Sequence, residues 1–342
     1  MRTIRLESPR VLNVVDIPEP EADGVQVRMS VSACGICGSD LHYWESGLGM
    51  DGKPGLILGH EFCGTVVDPG TRTDLAIGTR ITALPVNPCG SCASCLSGSN
   101  HLCLQGMKRP TPGNNSPGAY AETMMIRPDM VRILPDSVSD TQAVMIEPAA
   151  VALHAVHQSG LVVGSRVLIT GGGPIGVLAA AWARLAGASL VVLTEVDAFR
   201  KTFAEGKGDV DAVLDGSDPD LGRKLKKLSA GGFDAAIETS AKDKGYHTAL
   251  SALKPRGTLV LAGISFAMQQ IPTILSVIKE INTVGAFAYT TDEFDTALKY
   301  IAEKRLVVES MVTKTIGFND VQAVFECLSS LSPNQMKVVI RP

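Results

Sequence analysis

No uninterrupted apolar run of about 18 residues or more occurs in the chain, so no membrane-spanning helix is expected. No block of like charge is long enough to act as a tail, and a net charge of −4 offers no basic field, so a nucleic-acid partner is not expected. The start, MRTIRLESPRVLNVVD, alternates charged and apolar residues and lacks the apolar centre of a signal peptide; a cytoplasmic location follows as the expectation. Internal repeats and low-complexity segments are also missing. What is there is ordinary globular composition, 45% hydrophobic and 19% charged, somewhat rich in glycine with 34. A length of 342 residues predicts two domains.

Seven of the eight cysteines fall in the first third of the chain. Without a secretion signal, such clustering points to metal or catalysis rather than to disulfides. Cys89, Cys92, Cys95 and Cys103 are spaced C-x2-C-x2-C-x7-C. Four thiolates fill the tetrahedral shell of zinc and leave no open position, which marks a structural site. A [4Fe–4S] cluster also takes four cysteines, but such runs often carry Pro directly after the last one, and here Leu104 follows. Upstream, the stretch 33–64 holds Cys37 in a Gly-rich turn, then His42, then Gly59-His60-Glu61. Thiolate, imidazole and carboxylate are the ligand types zinc prefers. Taken alone, the stretch is equally compatible with a buried cysteine and an unrelated His-Glu pair. Glu147 is a lone carboxylate in an apolar run, read either as an acid favoured at a helix N-terminus or as a group at or beside a metal. His154 and His157 are assigned no role, and Cys34, Cys63 and Cys327 are read as core.

Residues 1 to about 150 read as short strands broken by turns, with period-two alternation over 25–31. Residues 104–118 form a polar Pro/Gly loop long enough to be a lobe, a lid or an oligomer contact, after which 119–122 returns to strand-like sequence. From Ser165 onward strand and helix alternate, predicting six strands with crossover helices in a doubly wound parallel sheet. The first strand, 166–170, runs into Gly171-Gly172-Gly173-Pro174-Ile175-Gly176 and a helix, and Glu195 ends the second strand. A G-x-G-x-x-G turn in that setting lets a pyrophosphate approach a helix N-terminus. Glu195 can accept both adenosine ribose hydroxyls and would face a 2′-phosphate, favouring NAD over NADP; Arg200 lies close enough in sequence to weaken that preference. Ala262, Gly263 and Ile264, and again Ala286, Phe287 and Ala288, follow strand ends, where ligands of doubly wound sheets sit.

The ordered set Cys37 in G-I-C-G-S-D, then G-H-E, the four-Cys lobe, Glu147-Pro148 and the Gly-rich turn resembles the zinc-dependent medium-chain dehydrogenases over essentially the whole chain. The resemblance implies an α/β fold in which a Rossmann doubly wound parallel sheet is inserted into a mainly-β GroES-like catalytic domain with a structural-zinc lobe. The catalytic domain would comprise residues 1–148 and 289–342, the NAD-binding domain 149–288, with the active site in the cleft. Asp40-Leu41-His42-Tyr43, the segment 147–154 and Lys279-Glu280-Ile281 are most similar to the sorbitol (polyol) and L-idonate 5-dehydrogenase branch. The implied activity is oxidation of a secondary alcohol, a polyol or a sugar acid such as L-idonate, to a ketone with hydride transfer to NAD. Runners-up are 2,3-butanediol and L-threonine as substrates. The resemblance makes Cys37 and His60 ligands of a catalytic zinc, with Glu61 or Glu147 supplying the carboxylate, and brings zinc to two ions per chain. Ser39 and His42 match the proton relay; Tyr43, Glu147 and Tyr289 match substrate contacts; 262–264 and 286–288 pass along the nicotinamide. Ala288 stands where the branch has an arginine, which argues against sorbitol itself. A homo-oligomer, tetramer or dimer, is implied as well. The competing class is a non-catalytic zinc protein that senses NAD, which would not need the Cys37, His60 and carboxylate set beside Ser39 and His42.

Overall fold

The computed structural model describes residues 1–271, 273–330 and 334–342. The chain divides into two compact units, 1–147 with 290–342, and 148–289.

In the first unit, the strand Val27–Gly35 alternates buried and half-buried residues over most of its length, as a period-two pattern requires. It lies at the centre of a seven-stranded sheet, pairing antiparallel with Glu61–Asp68, Thr123–Ile126 and the C-terminal Lys337–Ile340. Arg80–Ala83 and Val131–Ile133 extend one side, and Val312–Ile316 runs parallel to Lys337–Ile340 on the other. A hairpin of Arg2–Ser8 and Val11–Asp16 packs alongside, and Met29, Phe62, Ile81, Tyr120 and Phe325 share the core. The sequence predicts strand from residue 119. The regular strand begins at Thr123 instead, because the backbone of 118–120 is spent on Ile57, Leu58 and Gly59.

The second unit is a six-stranded, all-parallel sheet. Its order is Ala212–Asp215, Leu190–Glu195, Arg166–Thr170, Phe233–Glu238, Leu253–Leu261, Asn282–Gly285. The order reverses between Arg166–Thr170 and Phe233–Glu238, which is the switch point of a doubly wound fold. Leu190–Glu195 is buried over nearly its whole length, as strands covered on both faces are.

Candidate active site and metal centres

The helix Gly38–Ser46 begins at Cys37, which is half-buried and extended at φ −101° and ψ 159°. Three residues on, Asp40 turns its carboxylate back and accepts the Cys37 backbone N–H at 2.9 Å. His60 arrives from the facing segment through Gly59, whose φ of +95° and contact with Tyr120 leave no room for a side chain: a Cβ would lie 2.5 Å from the ring. The donor atoms of Cys37, His60 and Glu61 lie within 4.8 Å of one another. His60 Nδ1 faces Asp40 Oδ1 at 3.6 Å, and its Nε2 lies 3.5 Å from Ser39 Oγ. Asp40 is fully buried and also accepts the Tyr120 hydroxyl at 3.0 Å. A carboxylate behind a ligating imidazole fixes its tautomer and raises its basicity. Burial works against a charged His60, but Asp40 and Cys37 outweigh it, and the imidazole is pushed well above its ordinary pKa of 6.5.

Glu61 is held firmly. Lys337, on the C-terminal strand, donates to both carboxylate oxygens at 2.7 and 2.6 Å and to the Ile36 carbonyl at 3.1 Å. Burial lowers the lysine's pKa and Glu61 restores it, so that it stands above its ordinary 10.5. The field of Glu147, half-buried in the first turn of the helix Ile146–Gln158, reaches the same ammonium. The set of soft and borderline donors fits zinc, and the chain offers two carboxylates for one place.

In the four-Cys lobe, the Sγ atoms of Cys92 and Cys95 are 3.5 Å apart, of Cys89 and Cys95 3.9 Å, and of Cys92 and Cys103 4.0 Å. A tetrahedron with Zn–S bonds of about 2.3 Å has edges of about 3.8 Å, so the sulfurs fit one zinc ion. The N–H groups of Cys89, Cys92 and Gln105 donate to sulfurs at 3.2 to 3.4 Å, which favours thiolates. Cys89 is pulled down to about 5, chiefly by hydrogen bonds from Ser91, while burial pushes Cys95 up to about 11.

In the second unit, Gly171 takes φ +104° and the helix Pro174–Leu185 starts at Gly173 with Pro174 in its first turn. A Cβ on Gly176 would meet the Gly171 carbonyl at 1.9 Å, so the turn tolerates only glycine there. Glu195 accepts the Gly172 N–H at 2.7 Å through one oxygen and those of Val196 and Asp197 at 2.6 and 3.0 Å through the other. The Arg200 guanidinium reaches the same turn: its Nη1 would lie 4.0 Å from a Cβ on Gly173, and its Nε is buried with no hydrogen-bond partner among the described residues. Ile264 and Phe287 are exposed, and Ala288 adopts φ +51°. Tyr289, at the end of this unit, is buried.

Several site residues escaped sequence reasoning. Asp40 had a signal, the acid three residues after Cys37 at capping spacing, and Lys337 had another, a lysine inside an apolar strand. Asn114, which accepts the Tyr43 hydroxyl at 3.0 Å, had none. Cys327 is a correction: it is exposed, not core, because Val321, Val324 and Phe325 form the inner face of the helix Val321–Leu328 and position 327 points outward. Cys34 and Cys63 are buried.

Residues 23–136 match the family model for the alcohol dehydrogenase GroES-like domain, and 174–303 that for zinc-binding dehydrogenase. D-xylulose reductase A from Aspergillus niger is 30% identical over 330 residues, which cover 94% of this chain and 91% of that protein. A zinc-binding dehydrogenase from Sinorhizobium meliloti 1021 bound to NADP aligns over 100% of this chain and 99% of its own, at 30% identity and a TM-score of 0.89. L-idonate 5-dehydrogenase from Escherichia coli str. K-12 substr. MG1655 aligns over 100% and 98%, at 25% identity and a TM-score of 0.90. Among the described residues, no helix is long and apolar enough to cross a membrane.

Proposed function

The chain belongs to the zinc-dependent medium-chain dehydrogenases, in their polyol branch, and from that premise we propose that it oxidises a polyol or a sugar acid such as L-idonate, at a secondary hydroxyl, to the ketone, with NAD as hydride acceptor. It is an alcohol dehydrogenase that uses two zinc ions and a nicotinamide dinucleotide. The observation that carries the substrate-side reading is the convergence of Cys37, His60 and Glu61 within 4.8 Å, with Ser39 3.5 Å from His60. A sensor of NAD would have no use for that set.

Cys37 and His60 would hold the catalytic zinc. Glu61, whose donor atom lies within 4.8 Å of theirs and whose oxygens Lys337 holds, or Glu147 would supply the third ligand. Cys89, Cys92, Cys95 and Cys103 would hold the structural ion. Bound zinc supplies a Lewis acid that lowers the pKa of an alcohol hydroxyl, and the nicotinamide takes the hydride. The chain's own part is positional and protonic. Asp40 orients His60, Ser39 takes the hydroxyl proton, and His42, three residues further along the same helix, passes it outward. Tyr43, on the helix that carries Ser39, would contact substrate. Gly171, Gly173, Pro174, Ile175 and Gly176 receive the pyrophosphate, and Ala262 to Ile264 with Ala286 to Ala288 flank the nicotinamide. Glu195 favours NAD because a 2′-phosphate beside a carboxylate is repelled, with Arg200 pulling the other way.

A homo-oligomer in the cytoplasm fits this reading. Asn282–Gly285 is an edge strand without charge, and Ile274, Val277 and Ile278 stand exposed on the helix that precedes it. The runner-up substrates, 2,3-butanediol and L-threonine, differ in what flanks the reacting carbon. A screen of nicotinamide reduction across polyols, sugar acids and vicinal diols decides among them. Cys37→Ala should abolish turnover while NADH binding, read by fluorescence, stays; retained turnover would remove the zinc chemistry from this site.

A further inference from the structure

Ser39 and Tyr43 are four residues apart on the helix Gly38–Ser46 and so share one face, the face Ser39 turns to His60. Burial raises the Tyr43 phenol above its ordinary pKa, His60 opposes that shift, and Asp40 and Cys37 add to it, which puts the phenol within reach of the metal donors' fields. A tyrosine hydroxyl has one proton and spare lone pairs. Here the proton is spent: Tyr43 donates it to Asn114 Oδ1 at 3.0 Å. The amide cannot conveniently turn round, because its Nδ2 donates to the Pro112 carbonyl at 3.4 Å. The loop behind it is fixed as well. The Asn114 N–H donates to Thr111 and its carbonyl accepts Met50 N–H at 2.8 Å, while Ala119 N–H donates to the Gly59 carbonyl at 2.9 Å, next to His60.

We propose that Asn114 is a specificity-determining residue: by taking the only proton of Tyr43 it presents the phenol to substrate as an acceptor, so the site selects alcohols with a second hydroxyl beside the reacting one, vicinal diols and polyols, over 2-hydroxy acids. The inference rests on the dehydrogenase reading above and names its substrate class. The reacting hydroxyl loses its proton in the oxidation and cannot serve as the donor to Tyr43. A neighbouring hydroxyl can. A carboxylate in the same place brings two more acceptor oxygens and no proton, and leaves the phenol oxygen facing like charge density. The long loop 104–118, which the sequence leaves open as lobe, lid or contact, thereby acquires a task in substrate choice.

The test uses the zinc-loaded full-length enzyme with NAD and NADP both supplied, and compares kcat and KM for 2,3-butanediol, 2-butanol and 2-hydroxybutanoate. The wild type should prefer the diol to both others. In Asn114→Leu the phenol proton is released toward substrate, and the diol-to-acid ratio of kcat/KM should fall about tenfold, the size of one neutral hydrogen bond gained or lost. Tyr43→Phe should lower the diol-to-butanol ratio by a similar factor, through KM, without any gain on the acid. Asn114→Asp keeps the acceptor oxygen and should keep the diol-to-acid ratio, which covers the case in which the leucine variant does not fold; zinc content and NADH binding report on folding. A wild type that oxidises the acid or butanol as well as the diol overturns the proposal, and so does an unchanged ratio in folded Asn114→Leu or a collapsed ratio in Asn114→Asp. If the wild type oxidises no secondary alcohol at all, the dehydrogenase reading falls and this proposal falls with it.

Discussion

Replacing Lys337 by methionine should destabilise the first unit severely while leaving the dinucleotide-binding unit alone. The Lys337 and Glu61 side chains are 3% and 1% exposed, so solvent does not screen the pair. Methionine fills a similar volume but leaves the Glu61 carboxylate buried without its cation and the Ile36 carbonyl without its donor. Removing one partner of such a pair costs about 3–5 kcal/mol. In a folding unit of about 200 residues, each kcal/mol moves Tm by about 2–4 °C, so the first unit's transition should drop by about 6–20 °C. Calorimetry reads it directly. Lys337→Met with Glu61→Gln removes both charges and should recover most of the loss, because a buried pair replaced as a whole is close to neutral. The alkaline limb gives a second check. The lysine's pKa in the folded protein is above its ordinary 10.5, so its contribution is fully present below that value and is lost as pH rises beyond it. The stability gap between wild type and Lys337→Met should therefore persist up to that value and close in strong alkali, and it should narrow toward acid pH, where the unpaired Glu61 of the variant takes up a proton. A single variant as stable as wild type, or a double variant less stable than the single, would refute the reasoning.

Metal analysis should give two zinc ions per chain, and Cys95→Ser one, with thermal stability lowered and the residual zinc bound to the Cys37 site; two ions in that variant would mean the lobe is not a zinc site. Glu195→Ala should relax the preference for NAD, measured as the ratio of kcat/KM with NAD to that with NADP. It should also weaken binding of both dinucleotides, because the Gly172, Val196 and Asp197 N–H groups lose their acceptor. An unchanged ratio would remove Glu195 from cofactor selection.

What the sequence made legible is what it writes locally. The four cysteines lie within 15 residues and the glycine-rich turn within six, so spacing alone carries their geometry. The strand and helix periods of 166–261 are local too, and they predict the parallel sheet correctly. The residues that tune the site reach it from far along the chain. Tyr120 meets Asp40 across 80 positions, Asn114 meets Tyr43 across 71, and Lys337 meets Glu61 across 276. No period or motif connects such pairs: the register of the strands Val27–Gly35, Glu61–Asp68 and Lys337–Ile340 brings Lys337 to Glu61, while loop hydrogen bonds, Met50 N–H to Asn114 and Tyr120 N–H to Leu58, seat the other two. Cys327 failed for a different reason. A cysteine is buried so often that its composition prior outweighed the three- and four-residue spacing of Val321, Val324 and Phe325, which places 327 on the outer face.

The insertion of residues 148–289 between the two parts of the first unit sets an order of events during synthesis. Every strand of the parallel sheet has been synthesised by residue 285, so that unit holds all its strands before the first unit does. Glu61 is made early and its lysine 276 positions later, so an emerging polypeptide holds an unneutralised carboxylate, and an unpaired edge at Cys34 and Gly35, until Lys337–Ile340 has been made. Loss of the strand Lys337–Ile340 would therefore cost more than its four residues suggest: it would leave the Cys37 end of the central strand without its neighbour and the buried acid unanswered.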